Sequence, residues 1–266
     1  KEFGNIHSLN AMLGFSWQHM NQFGSQATSQ NFSDPYFQFN NLGAGATARP
    51  PSSSSLAFGL NSYFSRINYT LLNKYLVTFT GRVDGSSKFG EDNRYAFFPS
   101  AAVAWRINEE EFLKQSEVIS NLKLRASYGS TGNSEIPAYR SLAGLSNYDV
   151  IFSGNRQIGI GTGRMSNSAL HWEKTNQYDV GLELGFFNNK LNFEFDVYRR
   201  KVGDMLLDAP LPLSSGYGSI FSNIGSMENK GVEFAVNVLN IGNEQFSWSS
   251  NFNISINKNK VIALTG

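Results

Sequence analysis

The fold is decided by the stretch Tyr178-Asp179-Val180-Gly181-Leu182-Glu183-Leu184-Gly185-Phe186, which a short link joins to Leu191-Asn192-Phe193-Glu194-Phe195-Asp196-Val197-Tyr198. In both stretches every second side chain is apolar, and the residues between are mostly polar, charged or glycine. Because successive side chains of a β-strand point to opposite faces of a sheet, this period of two predicts two half-apolar strands. The short link predicts that they form an antiparallel hairpin.

Segments with the same alternation lie on both sides of this pair. They are residues 9–17, 56–69, 75–83, 100–107, 122–128, 232–238 and 246–256, of which 56–69 is the least regular. With the pair itself this makes about nine strands of roughly ten residues each. The aromatic content of 14% agrees with this, because strands favour aromatic side chains. The sequence therefore predicts an all-β, antiparallel protein.

The composition excludes several classes of protein. The chain of 266 residues has 22 basic and 21 acidic residues, no Cys and three scattered His. A net charge of +1 gives no electrostatic footprint for nucleic acid, and the lack of Cys excludes a disulfide scaffold. No run of about 18 apolar residues predicts a transmembrane helix. We find no catalytic or metal-binding motif and predict neither an enzyme nor a bound cofactor.

Alternation alone fits both a soluble β-sandwich and a transmembrane β-barrel, because each buries one face of its sheets. The charges distinguish them. The apolar faces are almost free of charge over about nine to eleven residues, the length of a tilted transmembrane strand, with Arg199 as the main exception. The opposite faces carry charges such as Arg125, Glu183 and Glu194, which would be costly in a dry core. The pattern favours a barrel in a membrane.

The connections between the predicted strands alternate in length. The compact ones are residues 70–74, 188–190 and 240–245, with a longer one at 108–121. The others are long and cover residues 18–55, 85–98, 132–171 and 202–229. Short turns at one rim and long loops at the other are typical of an outer-membrane barrel. Within 108–121 we predict one short helix, with Asn108 as its N-cap and Glu111 completing a capping box.

The long connections hold the candidate binding residues. Aromatic rings stack on sugars and peptides, and guanidinium groups donate hydrogen bonds, so we select Tyr36, Tyr139, Arg140, Tyr148 and Arg156 as candidate ligand contacts. The same side chains equally suit packing between loops or docking of a partner protein. Residues 84–92 contain acidic and hydroxyl side chains in an order that does not match a calcium loop, and we expect a rigid turn capped by Asp and Ser.

Several motifs resemble one known family. Arg82-Val83-Asp84-Gly85-Ser86-Ser87-Lys88-Phe89-Gly90, Leu122-Lys123-Leu124-Arg125-Ala126-Ser127-Tyr128-Gly129 and Asn229-Lys230-Gly231-Val232-Glu233 are similar to blocks of the SusC/RagA family of TonB-dependent outer-membrane transporters. Each block alone is a weak signal. Their shared order and spacing from about Leu56 onward make the resemblance strong.

This resemblance implies a fold and a function. The chain would be an antiparallel, up-and-down segment of about nine strands within a barrel of about 22 strands. Residues 1–266 would form a partial barrel domain that contains neither the plug nor the C-terminal strands. The implied activity is import of oligosaccharides or peptides through the outer membrane. The implied partners are a SusD-like surface lipoprotein, the TonB complex acting through the missing plug, the substrate and outer-membrane lipid.

Two alternatives remain open at this stage. The first is an outer-membrane or surface β-barrel that transports nothing and acts as an adhesin or receptor. The second is a soluble secreted β-protein, in which the apolar faces would pack against each other. Both alternatives share the predicted strands and differ in what covers the apolar face.

Overall fold

The computed structural model describes residues 2–3, 6–36 and 38–264. Among them the strands are β1 (Glu2–Phe3), β2 (His7–Phe32), β3 (Gly45–Leu71), β4 (Tyr75–Ser86), β5 (Tyr95–Arg106), β6 (Ile119–Asn133), β7 (Gly144–Phe152), β8 (Asn155–Arg164), β9 (Glu173–Phe186), β10 (Leu191–Gly203), β11 (Leu206–Pro210), β12 (Ser219–Asn223), β13 (Ser226–Gly242) and β14 (Ser247–Ala263). The helical turns are short 3-10 segments: Gln38–Asn40, Leu42–Ala44, Glu91–Asn93, Ile107–Glu109 and Leu213–Ser215. None of the described helices is both long and apolar enough to cross a membrane.

Ten of the described strands form one antiparallel sheet in the order β1-β2-β3-β4-β5-β6-β9-β10-β13-β14. Nine of them are long and correspond to the nine predicted segments, of which only residues 107 and 246 fall outside the strands, while β1 has only two residues. The sheet is open, with β1 and β14 at its opposite edges. Strands β7 with β8, and β11 with β12, form two separate hairpins inside long connections. The all-β, antiparallel, up-and-down prediction is confirmed.

The register places most apolar side chains of the long strands on one face. Phe193, for example, lies opposite Leu184 of β9 and Val236 of β13. We call this apolar face the outer face and the opposite, polar face the inner face. Many outer-face side chains are exposed, including Leu13 at 86% and Ile256 at 69%. Among the described residues no second sheet covers them, so the packing required for a soluble β-sandwich is not found.

The connections confirm the alternation of short turns and long loops. The short ones are residues 72–74, 107–118, 187–190 and 243–246, which we call the turn rim. The long ones are residues 33–44, 87–94, 134–172 and 204–225, which we call the loop rim. Because outer-membrane barrels have short periplasmic turns and long extracellular loops, the turn rim is the periplasmic side.

The prediction of a long loop over residues 18–55 is wrong. Strands β2 and β3 continue as a paired ladder as far as Phe32 opposite Gly45, which leaves a connection of residues 33–44. A hairpin outside the membrane needs only its backbone hydrogen bonds, and Ser, Gln and Asn on both faces suit water. The apolar alternation therefore ends with Trp17 while the strand does not.

The predicted capping box at Asn108 is also wrong. The helical turn is the 3-10 segment Ile107–Glu109, which has no side-chain cap. Instead, the Oδ1 atom of Asn108 accepts a hydrogen bond of 3.2 Å from the backbone N–H of Leu122. This hydrogen bond joins the connection 107–118 to the beginning of β6.

Glu110 accepts hydrogen bonds from three neighbouring side chains at the turn rim. Its carboxylate accepts hydrogen bonds from Lys74 Nζ at 2.8 Å, Tyr75 Oη at 2.8 Å and Trp105 Nε1 at 3.0 Å. These three bonds, the one from Lys74 first, lower the pKa of Glu110 from its ordinary value of 4.5 to about 2. The ionised carboxylate therefore joins the turn after β3 to the connection after β5.

This lowered pKa predicts how stability responds to acid. A carboxyl group with a depressed pKa stabilises the folded state above its unfolded pKa, and this contribution is lost as pH falls toward the folded pKa. We expect the melting temperature of the full-length protein to fall between pH 5 and pH 2, and Glu110→Gln to flatten that fall. Melting followed by the heat-dependent gel shift would measure both. The neighbouring exposed Glu111→Gln is the control, and an equal slope in Glu110→Gln would contradict the assignment.

Candidate functional site

An ion-paired network occupies the middle of the inner face. Lys123 Nζ lies 3.1 Å from Glu183 Oε1, and Arg125 Nη2 lies 2.7 Å from Asp196 Oδ2. Arg125 Nε also lies 3.3 Å from Glu183 Oε1. Arg125 of β6, Gly181 of β9 and Asp196 of β10 stand in one register row. A side chain at position 181 would meet Asp196 Oδ1 at 2.3 Å, so glycine leaves the space through which Arg125 reaches across β9.

The remaining inner-face charges are mostly hydrogen-bonded and partly exposed. Asp179 accepts hydrogen bonds from Ser127 Oγ at 3.2 Å and Gln177 Nε2 at 2.7 Å. Glu194 and Glu233 are exposed and form no ion pair with any other residue described here. Such a face suits a wet lumen or contact with a polar plug. No group of three metal-ligating side chains occurs in the described part of the chain.

A small buried cluster lies under the loop rim, and we call it the loop core. Its members are Phe89, Phe98, Ile136, Leu170, Trp172 and Leu206. The ring of Trp172 lies 5.4 Å from that of Phe89 and 5.5 Å from that of Phe98. Its Nε1 donates a hydrogen bond of 3.0 Å to the carbonyl of Arg94. The loop core therefore joins residues 87–94 and 134–172 to β5 and β11.

The motif 82–90 supports the loop core through hydrogen bonds of its own serines and the buried ring of Phe89. Ser87 Oγ accepts a hydrogen bond of 2.8 Å from the N–H of Gly59, and Ser86 Oγ accepts one of 3.3 Å from the N–H of Lys88. The buried Lys88 Nζ lies 4.4 Å from the ring centre of Phe58. The expected Ser caps are confirmed. The expected Asp cap is wrong, because Asp84 instead pairs with Arg82 at 2.6 Å.

The five candidate contacts fall on three segments of the loop rim. Tyr139 Oη accepts a hydrogen bond of 2.9 Å from the N–H of Ala57, and the Arg140 guanidinium lies 5.6 Å from the ring centre of Phe221. Tyr139 therefore joins its loop to strand β3, and Arg140 lies against strand β12 of the next long connection. Tyr148 and Arg156 lie on opposite faces of the β7–β8 hairpin, and Tyr36 lies in the β2–β3 connection, where it is 78% exposed. Their contact with a ligand stays a prediction.

Sequence reasoning missed an exposed aliphatic face on the β7–β8 hairpin. Its members are Leu145 (75% exposed), Ile151 (81%), Ile158 (70%) and Ile160 (72%). The register places all four on the face that also carries the ion pair Asp149–Arg156, whose shortest distance is 2.8 Å. The alternation of Ile158 and Ile160 with Gly159 and Gly161 was the available signal, but it lies inside a connection that we interpreted as loop.

The fold and the two faces define the class of this protein. A sheet with an apolar exposed face, an ion-paired opposite face, and alternating short turns and long loops is a segment of an outer-membrane β-barrel. The chain belongs to the TonB-dependent receptor family, because the family model described as "TonB dependent receptor-like, beta-barrel" matches residues 2–262.

Individual relatives place the chain near SusC and RagA. It is 43% identical over 264 residues to "TonB-dependent receptor P3" of Formosa agariphila, covering 99% of this chain and 26% of that protein. It is 42% identical over 212 residues to "TonB-dependent receptor SusC" of Bacteroides thetaiotaomicron, covering 78% of this chain and 21% of that protein. A RagAB peptide importer structure has a TM-score of 0.85 at 31% identity, covering 100% of this chain and 29% of that one. The chain thus spans about a quarter of these relatives.

Proposed function

We propose that the whole protein imports oligosaccharides or peptides through the outer membrane. In this proposal the TonB complex pulls on a plug inside the barrel, and residues 1–266 supply part of the wall and of the extracellular loops. The observation that carries the proposal is the combination of an ion-paired inner face with a packed loop core above it. An ion-paired wall around Arg125 suits a moving polar plug, while the loop core holds a preformed vestibule above it.

The proposal includes a SusD-like lipoprotein that covers the loop rim. Support comes from the aliphatic face of the β7–β8 hairpin, because exposed apolar patches on an extracellular loop mark protein contact sites. The Asp149–Arg156 pair on the same face supplies a polar contact beside that patch. Tyr148, on the opposite face, is turned away from this contact and stays available for a ring or amide of the substrate.

The chemistry of the loop rim and the names of the relatives support two substrate classes, oligosaccharides and peptides. Rings such as Tyr36 and Tyr148 stack equally well on sugar and on peptide faces. One structural neighbour is named a peptide importer, and SusC is a close relative in sequence. The uptake experiment therefore uses both oligosaccharides and oligopeptides.

Variants of the hairpin test the proposal in the host organism. We expect Ile151→Asp with Ile158→Asp to lower co-purification of the lid lipoprotein at least tenfold, because two carboxylates would be desolvated in the contact. Energy-dependent uptake of labelled oligopeptides and oligosaccharides should fall with it. Deletion of the gene gives the baseline, and a protonophore shows whether uptake needs energy.

The matched control places the same charges on the other face of the hairpin. Val150→Asp with Phe152→Asp should leave the lipoprotein bound. If the deletion strain keeps normal uptake of both substrate classes but loses surface attachment, the adhesin alternative replaces import. If uptake needs the protein while both pairs of variants bind the lipoprotein normally, the hairpin is not the contact.

A further inference from the structure

A band of cations crosses one sector of the outer face near the loop rim. One register row across β9, β10, β13 and β14 contains Tyr178, Arg199, Lys230 and Lys258. The next row toward the loops contains Asn176, Lys201, Glu228 and Lys260. The two rows thus place five cations against one carboxylate on a face that otherwise meets hydrocarbon.

An apolar groove begins directly below this cationic band. The row beneath it consists of Val180, Val197, Val232 and Ile256, and the row below that of Leu182, Phe195, Phe234 and Ile254. Because valine side chains are shorter than the rings and leucines beneath them, the valine row forms a depression. It has a volume of about 470 Å³ and is lined by the three valines and Ile256 together with Tyr178, Arg199, Lys230 and Lys258.

The cationic band differs from the rest of the same rim. At the corresponding ends of β2 to β5 the outer face presents Trp17, Tyr63, Tyr95 and Phe97, and the described outer-face residues of these strands between positions 53 and 105 include no Lys or Arg. Aromatic rings there provide the ordinary interfacial girdle of a barrel. General snorkelling of basic side chains would place cations around the whole rim, so their restriction to one sector calls for a local partner.

Glu228 fixes the positions of two of the cations. Its side chain accepts a hydrogen bond of 2.7 Å from Arg199 Nε and lies 2.8 Å from Lys230 Nζ. The carboxylate side chain is only 12% exposed, whereas those of Arg199 and Lys230 are 60% and 56% exposed. The arrangement therefore orients both cations while leaving most of their surface free for another anion. Lys258 stands beside Lys230 on β14 and completes the row.

We propose that this sector binds a phosphorylated glycolipid of the outer leaflet. The loop rim is the extracellular side, so the cationic band lies at the height of the outer-leaflet headgroups. Arg199, Lys230 and Lys258 bind the headgroup phosphate through charge-assisted hydrogen bonds. An acyl chain runs from there along the valine row into the hydrocarbon region. A cationic rim above an apolar groove matches the two halves of such a lipid.

The site can be tested with the delipidated full-length protein by native mass spectrometry. The probes are lipid A and the same lipid A after enzymatic removal of its phosphate. We expect the phosphorylated form to bind at least tenfold more tightly than the dephosphorylated form. We further expect Arg199→Gln with Lys258→Gln to reduce lipid A binding at least tenfold. The matched control is Lys114→Gln with Lys190→Gln, which removes two exposed lysine charges at the turn rim and should change nothing.

Each outcome decides the proposal. Equal binding of the two lipid forms, or unchanged lipid A binding in the Arg199 and Lys258 variant, would overturn it and leave the cations as interfacial anchors. Folding of every variant is checked by its heat-dependent gel shift. Should the double variant fail this check, Lys258→Gln alone leaves the Glu228 contacts intact and should still weaken lipid A binding about threefold.

Discussion

Replacing Trp172 with Ala should release the extracellular loops while the barrel wall stays folded. Trp172 is 5% exposed and contacts the rings of Phe89 and Phe98, so its removal leaves a cavity where three segments meet. Truncation of a buried Trp costs about 3–5 kcal/mol, and the hydrogen bond to the Arg94 carbonyl is lost as well. We expect proteases to cut residues 87–94 and 134–172 at least tenfold faster.

A second Trp→Ala variant makes the comparison specific. Trp248 is 54% exposed on the outer face near the turn rim, far along the sheet from the loop core. Trp248→Ala should leave loop cleavage unchanged and affect at most insertion in the membrane. Limited proteolysis of intact cells followed by mass spectrometry measures both variants. Equal protection of the loops in Trp172→Ala and wild type would show that the loop core does not hold the vestibule together.

The main sheet was predictable because the surroundings of a membrane barrel determine which positions of its strands are apolar. Lipid on one side and water on the other force strict alternation, as in Val180, Leu182 and Leu184 against Asp179, Glu183 and their neighbours. Each hairpin also needs a tight turn at one rim. For this reason the nine strands and the two rims agree with the structure.

The regions outside the membrane were not predictable in the same way. Residues 18–32 and 45–55 form strands although both faces meet water, so no apolar period marks them. The hairpins β7–β8 and β11–β12 lie within long connections, where a short alternation was interpreted as loop. Periodicity detects a strand only where its two faces have different surroundings.

The candidate site shows a similar division. The ion-paired wall was expected from its charged positions, but its partners were not, because Arg125 reaches Asp196 only across the space that Gly181 leaves. Tyr139 and Arg140 were selected for their chemistry, yet in the structure Tyr139 joins its loop to β3 and Arg140 lies against Phe221 of β12. Of the cationic band, the sequence indicated only Arg199. Lys230 and Lys258 lie far from it in the chain and come beside it only through the pairing of β10, β13 and β14.

Gly132→Ala should disturb the loop core as strongly as any single added methyl group in this chain. A Cβ at position 132 would lie 2.1 Å from Phe98 Cζ and 2.7 Å from two further ring atoms. Phe98 is 5% exposed and packs against Trp172, so its ring has no free space to enter. Overpacking of this kind costs about 1–3 kcal/mol. We expect faster proteolysis of residues 134–172.

Gly129, which lies in the same strand β6, provides a control for the effect of a glycine-to-alanine change in that strand. A Cβ at Gly129 would meet Ser100 Cβ at an ordinary 3.6 Å, so Gly129→Ala should leave the loops protected. The double variant Gly132→Ala with Phe98→Leu should regain part of the lost protection, because the smaller side chain no longer fills the space of the new methyl group. If Gly132→Ala and Gly129→Ala behave alike, the close approach of Phe98 to the backbone of β6 is not what fixes the loop core.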